Sequence, residues 1–151
     1  LDPIVSSKME GVRDGPAGLL EKALVDYQVF SDDPLTFQAN LLPSRTAEFI
    51  AEATKSGCAI QAHAASGIVI GHLPDDAATV EQAAAILTPL RATAGKGRGN
   101  LIILSCDSDW KGRIPVFGEP ESSWALMRRV KEKLDPHDLL NPGRFFGVTA
   151  N

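Results

Sequence analysis

From residue 35 onward the apolar positions of this chain switch between a period of two and helical spacing, and the switches mark its elements. Leu35, Phe37, Ala39 and Leu41 share one face of an extended run whose other face is Thr36, Gln38 and Asn40, the pattern of a half-buried strand. Pro43-Ser44 opens a helix with Phe49, Ile50 and Ala53 inward, Ser44 as N-cap and Gly57 as the stop. Cys58 to Ala65 and Ile68 to Leu73 are two extended runs joined by a tight turn at Ser66-Gly67, which makes a hairpin. Pro74 ends it, and Asp75 or Asp76 caps a helix carrying Val80, Ala83, Ala84, Leu87 and Leu90, kinked or closed at Pro89. Leu101 to Cys106 is an apolar run of strand length, and Asp107 to Ser123 is mostly loop with a short strand at Ile114 to Phe117.

The last helix, capped by Ser122 or Ser123, carries Leu126, Val130 and Leu134 one turn apart, with Trp124 and Met127 beside them. Arg128, Arg129, Lys131, Glu132 and Lys133 fall largely off that stripe and read as solvated, the basic ones suiting the C-terminal end of the helix dipole. Asp135-Pro136 halts the helix, because the proline ring disfavours helical geometry in the residue before it. Asn141-Pro142-Gly143-Arg144 follows as a built turn, a rigid residue and then a permissive one.

The order from residue 35 is strand, helix, strand, strand, helix, strand. It predicts an α+β fold of the ferredoxin-like, split βαβ kind: an antiparallel sheet with helices on one face, plus a C-terminal helix and tail. Residues 1–34 read as a linker or interdomain segment, Gly- and Pro-punctuated up to residue 18, with Leu19 to Phe30 ordered as a short helix running into a strand at Val25 to Phe30. Residues 35–151 form the domain.

Bulk properties remove several function classes. At 151 residues the chain is the size of one domain, able to bury roughly two thirds of its unfolded surface. A net charge of −4, with no Lys/Arg run longer than two, argues against a phosphate-backbone binder, so nucleic acid is not an expected partner. Cys58 and Cys106 lie far apart with no metal-ligand spacing and read as small core residues in a reducing compartment. No apolar run approaches the length of a membrane span, and no signal peptide is visible.

The tail, LDPHDLLNPGRF after a helix, resembles the C-terminus of FAD-linked oxidases of the vanillyl-alcohol oxidase type. Trp110-Lys111 and Val116-Phe117-Gly118 ahead of the helix make it most similar to the FAD-binding E-subunit branch of glycolate oxidase. The resemblance spans about residues 35 to 148 and is strongest in the last forty or so. It implies the same ferredoxin-like fold for a cap domain, with FAD held mainly by an N-terminal domain. Together with a first residue that is Leu rather than Met, it leads us to expect a fragment of a longer protein.

The hairpin His63-Ala64-Ala65-Ser66-Gly67-Ile68-Val69-Ile70 bears on chemistry. Relatives of the D-lactate dehydrogenase kind carry a sequence like HAGDGNxH here, whose two histidines face the flavin and hold a divalent metal and the 2-hydroxy acid. In this chain Ser66, Ile68 and Ile70 stand at the aspartate, asparagine and second histidine positions. Isoleucine cannot ligate a metal, so no metal site is expected. His63 remains the substrate-side candidate, against the alternative of a hydrogen-bonded structural histidine. His72 falls on the face of Ile68 and Ile70, displaced from the missing ligand position, and His137 reads as a surface turn residue.

The resemblance implies that Asn141 lies near the cofactor, and an Arg144 guanidinium can pair with a carboxylate or phosphate. Both are cofactor-binding candidates, against the alternative that they only build the turn. Trp110, Lys111 and Arg113 are candidates for contact with a second domain, against surface packing. Gly95 to Gly99 leaves a helix and enters a strand, the reverse of a phosphate loop, and reads as a solvated connection. No residue stands out as the catalytic base.

The resemblance thus implies an FAD-dependent oxidoreductase acting on a 2-hydroxy acid, with hydride passing to flavin in the intact protein and the isolated chain inactive. A variant within the family has this subunit carry FAD for electron transfer or assembly while a sister subunit turns over substrate. Implied partners are its own FAD domain, sister oxidase subunits, an iron-sulfur subunit and the substrate. The implied setting is the cytoplasm, with membrane association through partner subunits. The rival from another class is a non-enzymatic ferredoxin-like module for ligand binding or oligomerisation, which has no need of the DPHDLLNPGRF tail.

Overall fold

In the computed structural model, residues 15–27, 33–118 and 122–141 are described. The elements are α1 (Pro16–Asp26), β1 (Leu35–Asn40), α2 (Thr46–Lys55), β2 (Ala59–His63), β3 (Ile68–His72), α3 (Val80–Gly95), β4 (Asn100–Cys106) and α4 (Ser123–Leu134). The four strands form one sheet in the order β2-β3-β1-β4, antiparallel at every pairing. This is the ferredoxin-like order that the alternation of periods predicts.

Strand register sorts the side chains into two faces. Ala62, Val69, Ala39 and Leu101 form one row across the sheet, and Ile60, Gly71, Phe37 and Ile103 the next. Helices α2 and α3 pack on this face and on each other. Leu35, Phe37, Ala39 and Val69 meet Phe49, Ala53, Ala83, Leu87 and Leu90 there in a closed core. The Phe37 and Phe49 rings meet edge to face, with centroids 6.4 Å apart. Gly71 is required beneath them, because a Cβ at that position would lie 2.3 Å from Cζ of Phe37.

The opposite face carries three rows: His63, Ile68, Asn40 and Asn100; Gln61, Ile70, Gln38 and Ile102; Ala59, His72, Thr36 and Ser105. A bulge in β4 between the partners of Thr36 and Phe37 shifts the last row and turns Leu104 outward. The hairpin tip is tied to the end of β1 by a bond from the Leu41 amide to the Gly67 carbonyl, 2.8 Å. Gly67 adopts φ +72°, and a side chain there would strike the Leu41 carbonyl.

Several expectations are corrected at element ends. Ser44 does not cap α2: Pro43–Arg45 forms a 3-10 turn with no side-chain cap bond. Asp75 and Asp76 do not cap α3. Thr79 does, in a reciprocal capping box: its hydroxyl accepts from the Gln82 amide and its own amide donates to Gln82 Oε1. Pro89 does not close α3, which runs through it to Gly95. No strand forms at 114–117; Lys111 and Ile114 make an isolated bridge, and the Ile103 amide donates to the Val116 carbonyl. Val25 and Asp26 lie in α1 rather than in a strand, and residues 28–30 fall outside the described residues.

Candidate functional site

The sheet face that α2 and α3 leave uncovered is where the candidate residues divide. His63, at the end of edge strand β2, is exposed, and its imidazole has no partner among the described residues. On β1 and β4, Gln38 Nε2 donates to Asn40 Oδ1 (2.8 Å), and Asn40 Nδ2 donates to Asn100 Oδ1 (2.7 Å), with Ile68 between these amides and His63. These amides stand on the β1–β4 side of the face, across β3 from the edge that carries His63. Ile70, at the missing ligand position, is buried between Gln61 and Gln38.

His72 is the structural histidine. Its ring is 3% exposed, with Nε2 2.8 Å from the Tyr27 carbonyl and Nδ1 3.1 Å from Thr36 Oγ1 and 3.2 Å from Asp33 Oδ2. Tyr27 stacks edge-on against it at 4.6 Å. Helix α1 thus lies over the end of the face away from His63, and Gln61 Nε2 donates to the Leu24 carbonyl (3.0 Å). Sequence spacing placed His72 on this face, but the partners from residues 27 and 33 come from a segment with no periodic signal.

The tail is built around Asp135. Its carboxylate accepts from the Leu139 amide (2.8 Å), the Leu140 amide (2.9 Å) and Lys131 Nζ (2.7 Å). Lys131 also pairs with Asp138 and donates to the Leu140 carbonyl. Lys131 is therefore half-buried in the turn and not solvated as its register predicts. The Lys131 hydrogen bond first, then the Leu140 and Leu139 amides, bring the Asp135 carboxyl down to about 2; bonds to Asp135 and Asp138 raise Lys131.

Downstream of this clamp Asn141 is exposed at φ +50°, a left-handed conformation that asparagine tolerates. Its side chain has no partner among the described residues, and Arg144 lies outside them. No hydrogen bond among the described residues joins Asn141 to His63. His137 is exposed in the turn.

On α4 the apolar stripe is exposed, with Leu126 63%, Val130 49% and Leu134 78% exposed, and Leu139 and Leu140 in the turn after it are exposed as well. Trp110 is buried in the core rather than offered to a second domain. Arg113 pairs with Glu81 of α3 at 2.6 Å, while Lys111 is exposed. Lys96 of the glycine loop pairs with Glu48 of α2. Both cysteines are free; burial lifts the Cys58 thiol to about 11, and Cys106 packs partly buried against the core.

The hollow that lies along α1 does not fit FAD. It measures about 390 Å³ and is lined by Leu19, Lys22, Ala23, Asp26 and Tyr27, one helix face without converging donors for a pyrophosphate. Among the described residues no group of three His, Cys, Asp or Glu side chains can hold a metal ion. No described helix is long and apolar enough to cross a membrane. Residues 118–145 match the family model described as FAD linked oxidases, C-terminal domain. The matched stretch contains α4, the Asp135 clamp and Asn141. No curated protein and no solved structure matches the chain.

Proposed function

We propose that this chain is the C-terminal cap domain of an FAD-linked oxidoreductase, supplying one wall of a site whose flavin is held mainly by another half. The match of residues 118–145 carries the reading. Two features of the chain support it. The ferredoxin-like sheet leaves a polar face with His63 exposed at one edge, and α4 with its clamped tail leaves apolar side chains exposed. An apolar stripe of this kind is stabilised when another surface removes it from water.

The finer reading is an enzyme of the glycolate oxidase E-subunit kind, oxidising a 2-hydroxy acid. Flavin supplies the redox chemistry when bound, and the surrounding protein orients substrate and tunes charge. This reading assigns His63 to the substrate side, and Asn141 and Arg144 to the cofactor. Sister subunits and an iron-sulfur subunit are the partners this reading requires.

The test is a visible absorbance spectrum of the purified chain, alone and expressed with the reading frame that precedes Leu1. The chain alone is expected to be colourless, and the longer protein to carry stoichiometric flavin that glycolate or D-lactate bleaches without oxygen. A colourless longer protein would defeat the proposal, as would stoichiometric flavin on the chain alone. Flavin that no 2-hydroxy acid bleaches would leave the FAD-linked reading and remove the substrate class.

A further inference from the structure

Hydrogen bonds alternate from side to side along a strand, so the register fixes which backbone groups of an edge strand point away from the sheet. The Leu41 amide donates to the Gly67 carbonyl and the Leu73 amide to the Leu35 carbonyl, so Gly67, Val69, Gly71 and Leu73 turn their backbone toward β1. Ile68, Ile70 and His72 therefore bond to His63, Gln61 and Ala59 of β2, and the N–H and C=O groups of Ile60 and Ala62 point out of the sheet. Among the described residues no backbone bond takes up those groups. The other edge is partly covered, since the Ile103 amide of β4 donates to the Val116 carbonyl. Exposed edges are ordinarily blunted by lysine, proline or a bulge. The run Ala59-Ile60-Gln61-Ala62-His63 has neither residue and pairs with β3 without a register shift.

We propose that β2 pairs antiparallel with β2 of a second copy of this chain, about a twofold axis at Gln61, joining the two sheets into one. The outward groups are their own complement. With Gln61 opposite Gln61, Ile60 of each copy stands opposite Ala62 of the other, and each such pair exchanges both bonds, so every outward group of the strand finds a partner. No Asp, Glu, Lys or Arg stands on β2 to set like charges against each other, and His63 falls opposite Ala59. Two such pairs alone bury too little for a stable dimer, which takes about 1,200 Å² or more. Helix α1 supplies further surface. Its Leu24 carbonyl accepts from Gln61 Nε2, so an axis at Gln61 brings the two α1 helices together over the open face of the sheet. Leu19, Leu20, Leu24 and Val25 of α1 are all exposed there, apolar area that the pairing removes from water. Flavin has no part in this pairing, and its outcome is independent of the proposed function.

The experiment measures the mass of the 151-residue chain by analytical ultracentrifugation over a dilution series, together with amide exchange along β2 at both ends of the series. The expected result is a dimer that dissociates on dilution. In the dimer the Ile60 and Ala62 amides exchange about tenfold or more slower, while those of Gln61 and His63, bonded to β3 in either state, change little. Ala62→Pro removes one outward N–H at an edge position where proline is tolerated, and is expected to give a monomer with an unchanged circular dichroism spectrum. A chain that stays monomeric at every concentration would overturn the proposal, as would a dimer that leaves Ile60 and Ala62 unprotected or survives Ala62→Pro. If that variant does not fold, amide exchange in the unaltered chain decides. Protection of the same two amides in a monomer of the protein expressed with the reading frame preceding Leu1 would give the edge to a strand of that half, and overturn the second copy as its occupant.

Discussion

Asp135 shows how much one side chain can specify. By itself the Asp-Pro pair says only that a helix ends. In the folded chain the carboxylate gathers two backbone amides and the Lys131 ammonium, and so sets the path of the chain toward Asn141. Its carboxyl titrates at about 2 against an ordinary 3.8. A depressed carboxyl adds stability above its unfolded value and loses it as pH falls through the folded one. The tail turn is therefore expected to hold at pH 5 and to open between about pH 4 and about pH 2, while the core remains folded above that window. Amide shifts of Leu139 and Leu140 followed on acidification check this. Asp135→Asn should abolish the acid transition and leave both amides exchanging freely at neutral pH. The sequence showed that a turn was built here, but not that Lys131, four residues earlier on the helix, belonged to it rather than to solvent.

Among the elements, alternation and helical spacing were sufficient for the sheet and its two packed helices, because both report which residues face the core. Leu35, Phe37 and Ala39 are the inward set of β1 as their alternation predicts. The errors lie where no core contact disciplines the pattern. The T-x-x-Q box at Thr79 was present in the sequence and outweighs the aspartates before it, since it satisfies two amide donors reciprocally. Ile114 to Phe117 looked like a strand because Ile114 is a core residue, yet it reaches the core from a turn. Gly71 reads as an ordinary strand glycine until Phe37 is placed above it. Gly71→Ala is expected to cost about 1–3 kcal/mol by overpacking a fully buried ring, measured as a lowered denaturation midpoint with unchanged m value. A neutral substitution would show that the Phe37 ring is free to move and that the core is not closed as described.

For the whole molecule, the face left open by α2 and α3 is where sequence and structure diverge most. Spacing placed His72 on the face of Ile68 and Ile70, which is correct, but it could not say that α1 would cover His72 and leave His63 bare. That division depends on bonds from a segment without periodicity. Arg144 lies outside the described residues, so the cofactor pair singled out in the sequence is seen only at Asn141. The other large-scale feature is the exposed stripe of α4. Helix periodicity marked it as a face to be buried, and among the described residues it is not. The proposed function supplies what covers it, a flavin-bearing half.

Hydrogen exchange across residues 123–141 tests that docking most directly, comparing the 151-residue chain with the protein expressed together with the reading frame preceding Leu1. The account predicts that the amides of α4 and the Asp135 turn exchange quickly in the chain alone and slow by at least about tenfold in the longer protein, because burying the Leu126, Val130 and Leu134 stripe suppresses local opening. Equal exchange in the two proteins would contradict it.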